Sequence, residues 1–110
     1  MAYDEDLADR VRALVGSEGA TETRMFGGIA FLINGNMSVA ASGQGGLMVR
    51  VDPADTATLL TAPEAGPMVM RGRELAGWLR VDTTGLTTKR ELKRWVDRGI
   101  AYARSLPPKR

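Results

Sequence analysis

Apolar residues in this chain recur at intervals that switch between helical and strand spacing, and the switches mark out the elements. Leu7, Val11, Leu14 and Val15 stand at i, i+4, i+7 and i+8, one stripe of a helix from about Asp4 to Val15. Asp4, Glu5 and Asp6 crowd its start, where carboxylates accept from free N–H groups and meet the positive end of the dipole. Gly16 follows as a stop. Beyond a polar loop, Ile29-Ala30-Phe31-Leu32-Ile33 is a short apolar run bounded by turn signals, as a buried strand would be. Asn34-Gly35 predicts a tight hairpin, because both residues tolerate positive φ. Met37-Ser38-Val39-Ala40-Ala41 returns with partial alternation, and the tip Gly43-Gln44-Gly45-Gly46 leads into Leu47-Met48-Val49-Arg50-Val51. A three-stranded meander is the expected arrangement.

Asp52-Pro53 has the form of an N-cap and first helical residue, opening a short helix that contains Leu59 and Leu60 and is ended by Pro63, Gly66 and Pro67. Met68 to Met70 and Gly77 to Val81 are expected as strands, joined through Arg71-Gly72-Arg73-Glu74. Thr88-Lys89-Arg90-Glu91 is a capping-box pattern, and Leu92, Trp95, Val96, Gly99, Ile100 and Ala103 continue at helical spacing until Pro107-Pro108. The predicted fold is α+β, in αβββαββα order. It has two layers: a five-stranded antiparallel sheet with helices on one face, in one domain over residues 1–110. Strand alternation then sets Ala30 and Leu32 opposite Ile29, Phe31 and Ile33, and separates Trp78 from Leu79. Both faces carry apolar side chains, so Leu32, Met48 and Trp78 are the expected contact with a partner, most simply a second copy of the chain.

The chain has 110 residues, of which 44% are hydrophobic and 25% charged, an ordinary globular composition. At this length a chain buries roughly two-thirds of its unfolded surface, enough to fold without staples. Neither cysteine nor histidine is present. This removes disulfides, thiolate nucleophiles, the usual zinc ligands and the usual general base, and no metal or other cofactor is expected. The start, Met-Ala-Tyr-Asp-Glu-Asp, is not a signal peptide, and no window approaches the roughly 20 apolar residues of a membrane helix, so the cytoplasm is the expected compartment.

A net charge of +2 hides an asymmetry. Residues 1–22 carry six acids against Arg10 and Arg12, a net of −4, and residues 89–110 carry eight bases against Glu91 and Asp97, a net of +6. Arg90, Lys93, Arg94, Arg98 and Arg104 lie off the apolar stripe of the last helix and form a candidate surface for nucleic acid or another anion. The plainer expectation is a solvated face that suits the negative end of the dipole. Asp52, Glu74 and Asp82 would support acid–base chemistry only as a converging pair.

Arg24-Met25-Phe26-Gly27-Gly28 precedes a strand rather than a helix, so it does not form a helix-terminal phosphate cradle. It is expected to be structural, a bulge or tight lead into the first strand with Met25 and Phe26 in the core. Joined to Ile29-Ala30-Phe31, the hairpin Asn34-Gly35-Asn36-Met37, and Leu47 to Val51, this segment resembles the N-terminal domain of the TfoX/Sxy family. Gly72-Arg73, Gly77-Trp78-Leu79-Arg80-Val81, and Leu92 through Trp95 to Leu106-Pro107-Pro108-Lys109 extend the resemblance to residues 5–109.

The resemblance implies a two-layer α+β fold with an antiparallel sheet, here in a stand-alone member. The family is named for bacterial regulators of natural competence, which carry a second, helical domain, and it brings no catalytic residues to transfer. The expected function is a non-catalytic regulatory or adaptor domain acting through protein contacts, as a homodimer. One alternative is a DNA-associated, competence-like transcriptional regulator using the basic last helix. Another is a small-molecule-binding protein or enzyme using carboxylates.

Overall fold

The computed structural model describes residues 3–25 and 27–108, the side chain of Met70 apart. Helix α1 (Glu5–Val15) opens where the Asp4 carboxylate accepts from Leu7 N–H at 3.0 Å. Its stripe buries Leu7, Ala8, Val11 and Val15. Gly16 does not end the turn: a 3-10 segment runs on through Glu18, and the left-handed residue that ends it is Gly19, at φ 76.

Among the described residues six strands form the antiparallel sheet, not five, in the order β1-β2-β3-β4-β6-β5. They are β1 (Thr21–Met25), β2 (Gly28–Ile33), β3 (Asn36–Ala41), β4 (Leu47–Arg50), β5 (Ala65–Met70) and β6 (Arg73–Val81). The short helix α2 (Thr56–Leu59) connects β4 to β5 and α3 (Lys89–Ser105) closes the chain, giving αββββαββα. The extra strand, β1, has the sequence Thr-Glu-Thr-Arg-Met and is exposed at every position, so no apolar alternation announces it. Its place comes from its ladder to β2, where Thr21 pairs with Leu32 and Met25 with Gly28.

The Met-Phe-Gly-Gly segment therefore joins two strands, with Met25 ending β1 opposite Gly28 at the start of β2, and is not a lead into the first one. Gly27 takes φ 78, and a Cβ on Gly28 would meet the Ala41 carbonyl oxygen at 2.1 Å. Met25 is not in the core but 37% exposed, and Phe26 lies outside the described residues. Asn34 and Gly35 take φ 54 and 81, the mirror-image turn that matches strand twist. Arg71 and Gly72 make a similar turn at φ 54 and 77, so Arg73 and Glu74 belong to β6 rather than to a loop. Pro67, expected to end a helix, instead lies in β5 beside an irregularity in pairing, a position an edge strand tolerates.

All three helices of the described residues pack on one side. Phe31, Val39, Val49, Leu79 and Val81 of the sheet meet Leu7, Val11 and Val15 of α1 and Leu92, Trp95, Val96 and Ile100 of α3. Leu59 and Leu60 of the α2 segment pack against the same cluster. Helix α3 approaches β3 so closely that a Cβ on Gly99 would sit 2.4 Å from the Ser38 carbonyl oxygen. Ser38 occupies a bulge, since Phe31 pairs with Val39 but Leu32 with Met37. Its buried hydroxyl donates to the Phe31 carbonyl at 2.8 Å, which satisfies a group that burial would otherwise penalise.

Candidate functional site

The side of the sheet away from the helices carries a second apolar cluster. Ala30, Ala40 and Met48 lie at its centre, with Leu32, Met37, Met68 and Trp78 packed around them. The structure thus brings Leu32, Met48 and Trp78 together, but it does not leave them equally open. Met48 is only 7% exposed, so it offers little surface to another chain, while Leu32 and Trp78 are half-buried. Small residues at the centre explain why: Ala30 and Ala40 leave space that the flexible Met37 and Met68 side chains close over.

What stays open on this face is a groove of about 320 Å³. Met25 of one edge strand and Met68 and Val69 of the other both line it, so the sheet curls around its own back. Met37, Met48 and Ala40 form its floor, and Gln44, Arg71 and Arg80 supply the polar margin. Arg80 reaches the tip between β3 and β4, donating to the Gly45 carbonyl at 3.0 Å. No carboxylate is among the described residues that line it. The two large exposed hydrophobic residues of the described chain, Met25 at 37% and Val69 at 54%, both stand at this groove. Sequence reasoning missed Met37, Met68 and Val69 and set Met25 in the core. The only available signal was four methionines on strands that border one face, and it could not be read before β1 was recognised as an edge.

At the end of the same face the Arg50 guanidinium lies 5.7 Å from the Trp78 ring and 5.7 Å from the Tyr102 ring of α3. The Arg50 cation thus lies within reach of both rings.

The five basic residues expected on α3 do not act as one set. Lys93 pairs with Asp97 at 2.6 Å, which pushes its ammonium pKa up, and Arg104 reaches Glu18 of the other terminal segment at 2.9 Å. Arg98 stacks 4.7 Å over Trp95. Arg90 and Arg94 remain exposed and share a shallow surface with Lys89 and Lys93. This group lies in the first half of α3, at the positive end of the dipole, so the expected dipole benefit applies to Arg104 alone. The capping box is formed, with Thr88 Oγ1 accepting from Glu91 N–H at 3.1 Å and Glu91 Oε1 from Thr88 N–H at 3.1 Å. Those bonds, the Thr88 backbone first, hold the Glu91 carboxyl below the usual carboxylate range.

The carboxylates considered for acid–base work do not converge. Asp52 caps the turn after β4, accepting from Ala54 N–H at 2.9 Å, and Glu74 and Asp82 lie near opposite ends of β6. Asp52 and Asp55 do border an open cleft of about 420 Å³ between α2 and α3, facing Arg98 and Tyr102. No group of three or more acidic side chains able to hold a metal is found among the described residues. Among the same residues no helix is long and apolar enough to cross a membrane.

A family model for the TfoX N-terminal domain matches residues 13–103, from the last turn of α1 to the last turn of α3. No curated protein matches the chain. The matched stretch contains the whole sheet, the back-face cluster and the helix-side cluster apart from Leu7 and Val11, and the chain belongs to the TfoX N-terminal domain family.

Proposed function

We propose that this chain is a non-catalytic regulatory or adaptor domain that works by gripping a segment of a partner protein in the groove behind its sheet. The observation that carries this is the coincidence of the two large exposed hydrophobic residues, Met25 and Val69, at one methionine-walled groove. Methionine is unbranched and polarizable, so a wall of Met25, Met37, Met48 and Met68 adapts to varied apolar side chains. Arg71 and Arg80, with no acid among the described lining residues, favour a segment that also bears Asp or Glu. Such a domain would act in the cytoplasm, a setting that suits a chain without cysteine, and as a homodimer.

A peptide-display selection on the immobilised chain tests the grip. Enrichment of sequences joining bulky aliphatic residues to carboxylates is expected, and it should be lost with Met68→Glu. Selection that is indifferent to Met68→Glu, or no enrichment at all, would count against the groove.

A second reading, a DNA-associated transcriptional accessory, is favoured by the clustering of Lys89, Arg90, Lys93 and Arg94 on one surface. Titration with duplex DNA at two salt concentrations separates the two. Binding that weakens steeply with salt and is lost in Arg90→Glu/Arg94→Glu supports it; no binding at low salt disposes of it.

A further inference from the structure

The two edges of the sheet are built differently. β5 carries Pro67 and an irregular register, both devices that discourage pairing with another strand. β1 has neither: its five residues pair with β2 without a shift, and all five are exposed.

The direction of its free backbone groups follows from the hairpins. In a two-residue hairpin the residues flanking the turn form a hydrogen-bonded pair, and such pairs alternate along the strands. Ile33 and Asn36 flank one turn, so Ile33 and Phe31 point towards β3 while Leu32, Ala30 and Gly28 point towards β1. Met25 and Gly28 flank the other and give the same result. On β1, then, Thr21, Thr23 and Met25 bond inward to β2, and the N–H and C=O of Glu22 and Arg24 point outward.

Only registers that set outward groups against outward groups can form a ladder between two copies of β1. Centring on Glu22 sets carboxylate against carboxylate, and centring on Arg24 sets guanidinium against guanidinium. Centring on Thr23 sets Glu22 against Arg24 twice, once on each side of the axis. Opposed charges at facing positions stabilise a strand pair and like charges destabilise it. Glu22 and Arg24 share the helix-side face with their partners Phe31 and Ile29. There Glu22 is already ordered by Arg12, whose Nη2 donates to its Oε1 at 2.8 Å, and Arg12 also meets Asp9. Arg24 of a second copy would extend this row of alternating charge.

We infer that two copies of the chain join through β1, antiparallel and centred on Thr23, into one continuous sheet with six strands from each copy. Glu22 and Arg24 of the two copies exchange backbone hydrogen bonds in two pairs. Thr23 meets its counterpart on the two-fold axis, and the exposed Met25 lies opposite Thr21 of the second copy. The contact is separate from the grip of the groove and does not depend on it, although Met25 borders both.

Sedimentation equilibrium of the full chain, from about 1 µM to several hundred µM, should show a reversible monomer–dimer equilibrium, as expected of a small interface. Arg24→Pro removes an outward N–H and costs β2 nothing, and should leave a folded monomer. Glu22→Lys and Arg24→Glu should each weaken self-association at least tenfold, and an equimolar mixture of the two should restore it as a heterodimer. Because the chain has no cysteine, Thr23→Cys gives a single thiol at a facing position where Cα atoms stand about 4.5 Å apart. It should oxidise to a disulfide dimer much faster than Thr21→Cys. A chain that is monomeric throughout, a mixture that does not restore association, or equal cross-linking at positions 21 and 23 overturns the inference. So does a dimer that persists in folded Arg24→Pro, which would move the contact to another surface such as the groove.

Discussion

The two faces of one sheet solve the burial problem in different ways. On the helix side, large side chains such as Phe31, Leu79 and Trp95 are buried together, and the close approach of α3 to β3 is made possible by Gly99. On the other side, alanines leave room and methionines close it loosely, with no helix above them. The first arrangement resists change in volume; the second accommodates it. A face that must specify the fold and a face that can receive varied contacts differ here in side-chain flexibility more than in hydrophobicity.

That contrast can be broken experimentally. Trp95→Ala should cost about 3–5 kcal/mol by urea unfolding, the range for a large core truncation, and Trp78→Ala much less, because it is half-buried. Equal losses would show the faces to be alike. Next in size is Gly99→Ala, which forces a Cβ against backbone at 2.4 Å and should cost about 1–3 kcal/mol despite the better helix propensity of alanine. Met37→Leu and Met68→Leu should each change stability by less than about 1.5 kcal/mol, yet stiffen the groove and narrow the range of peptides selected on it. Thr88→Ala should cost about 1 kcal/mol through loss of the cap that fixes α3 over the helix side.

The smallest effect is a pH dependence at that same cap. The Glu91 carboxyl is held below its ordinary value of 4.5 in the folded chain. Its contribution is therefore fully present above about 4.5 and fades as pH falls through the lower folded value. Glu91→Gln should flatten the acid limb of stability measured from pH 6 to pH 3 by removing the small contribution present at neutral pH. An unaltered acid limb would show that the cap does not depend on charge.

The helix side was legible in the sequence because its residues obey a period. The six α3 residues named from spacing, Leu92, Trp95, Val96, Gly99, Ile100 and Ala103, are the six that the helix buries, and Thr88 with Glu91 forms the cap their pattern predicted. The Asn34-Gly35 turn was legible for a local reason, the positive φ both residues accept. β1 was not, because an exposed edge strand has no buried side and so no alternation to read. Missing it also displaced Met25 from the groove wall to an imagined core position. The back-face patch was legible as Leu32, Met48 and Trp78 from alternation alone. Its closure over Met48 was not, since that depends on the curl of the sheet and on Met37 and Met68 arriving from other strands. The basic face divided for two reasons. Asp97 engages Lys93 one turn along the same helix, a spacing the sequence itself displays. The Glu18 that engages Arg104, by contrast, could not be assigned before the terminal segments were seen to meet.

Trp78 and Trp95 are the only indoles in the chain, and they sit on opposite sides of the sheet. Trp95, sealed at 2% exposure, should report the loss of the fold through its emission. Trp78, half in water and flanked by the Arg50 cation, changes its emission when anything settles beside it. An unlabelled sample therefore carries two optical channels, one for melting and one for occupancy of the back face, and Trp78→Phe separates them.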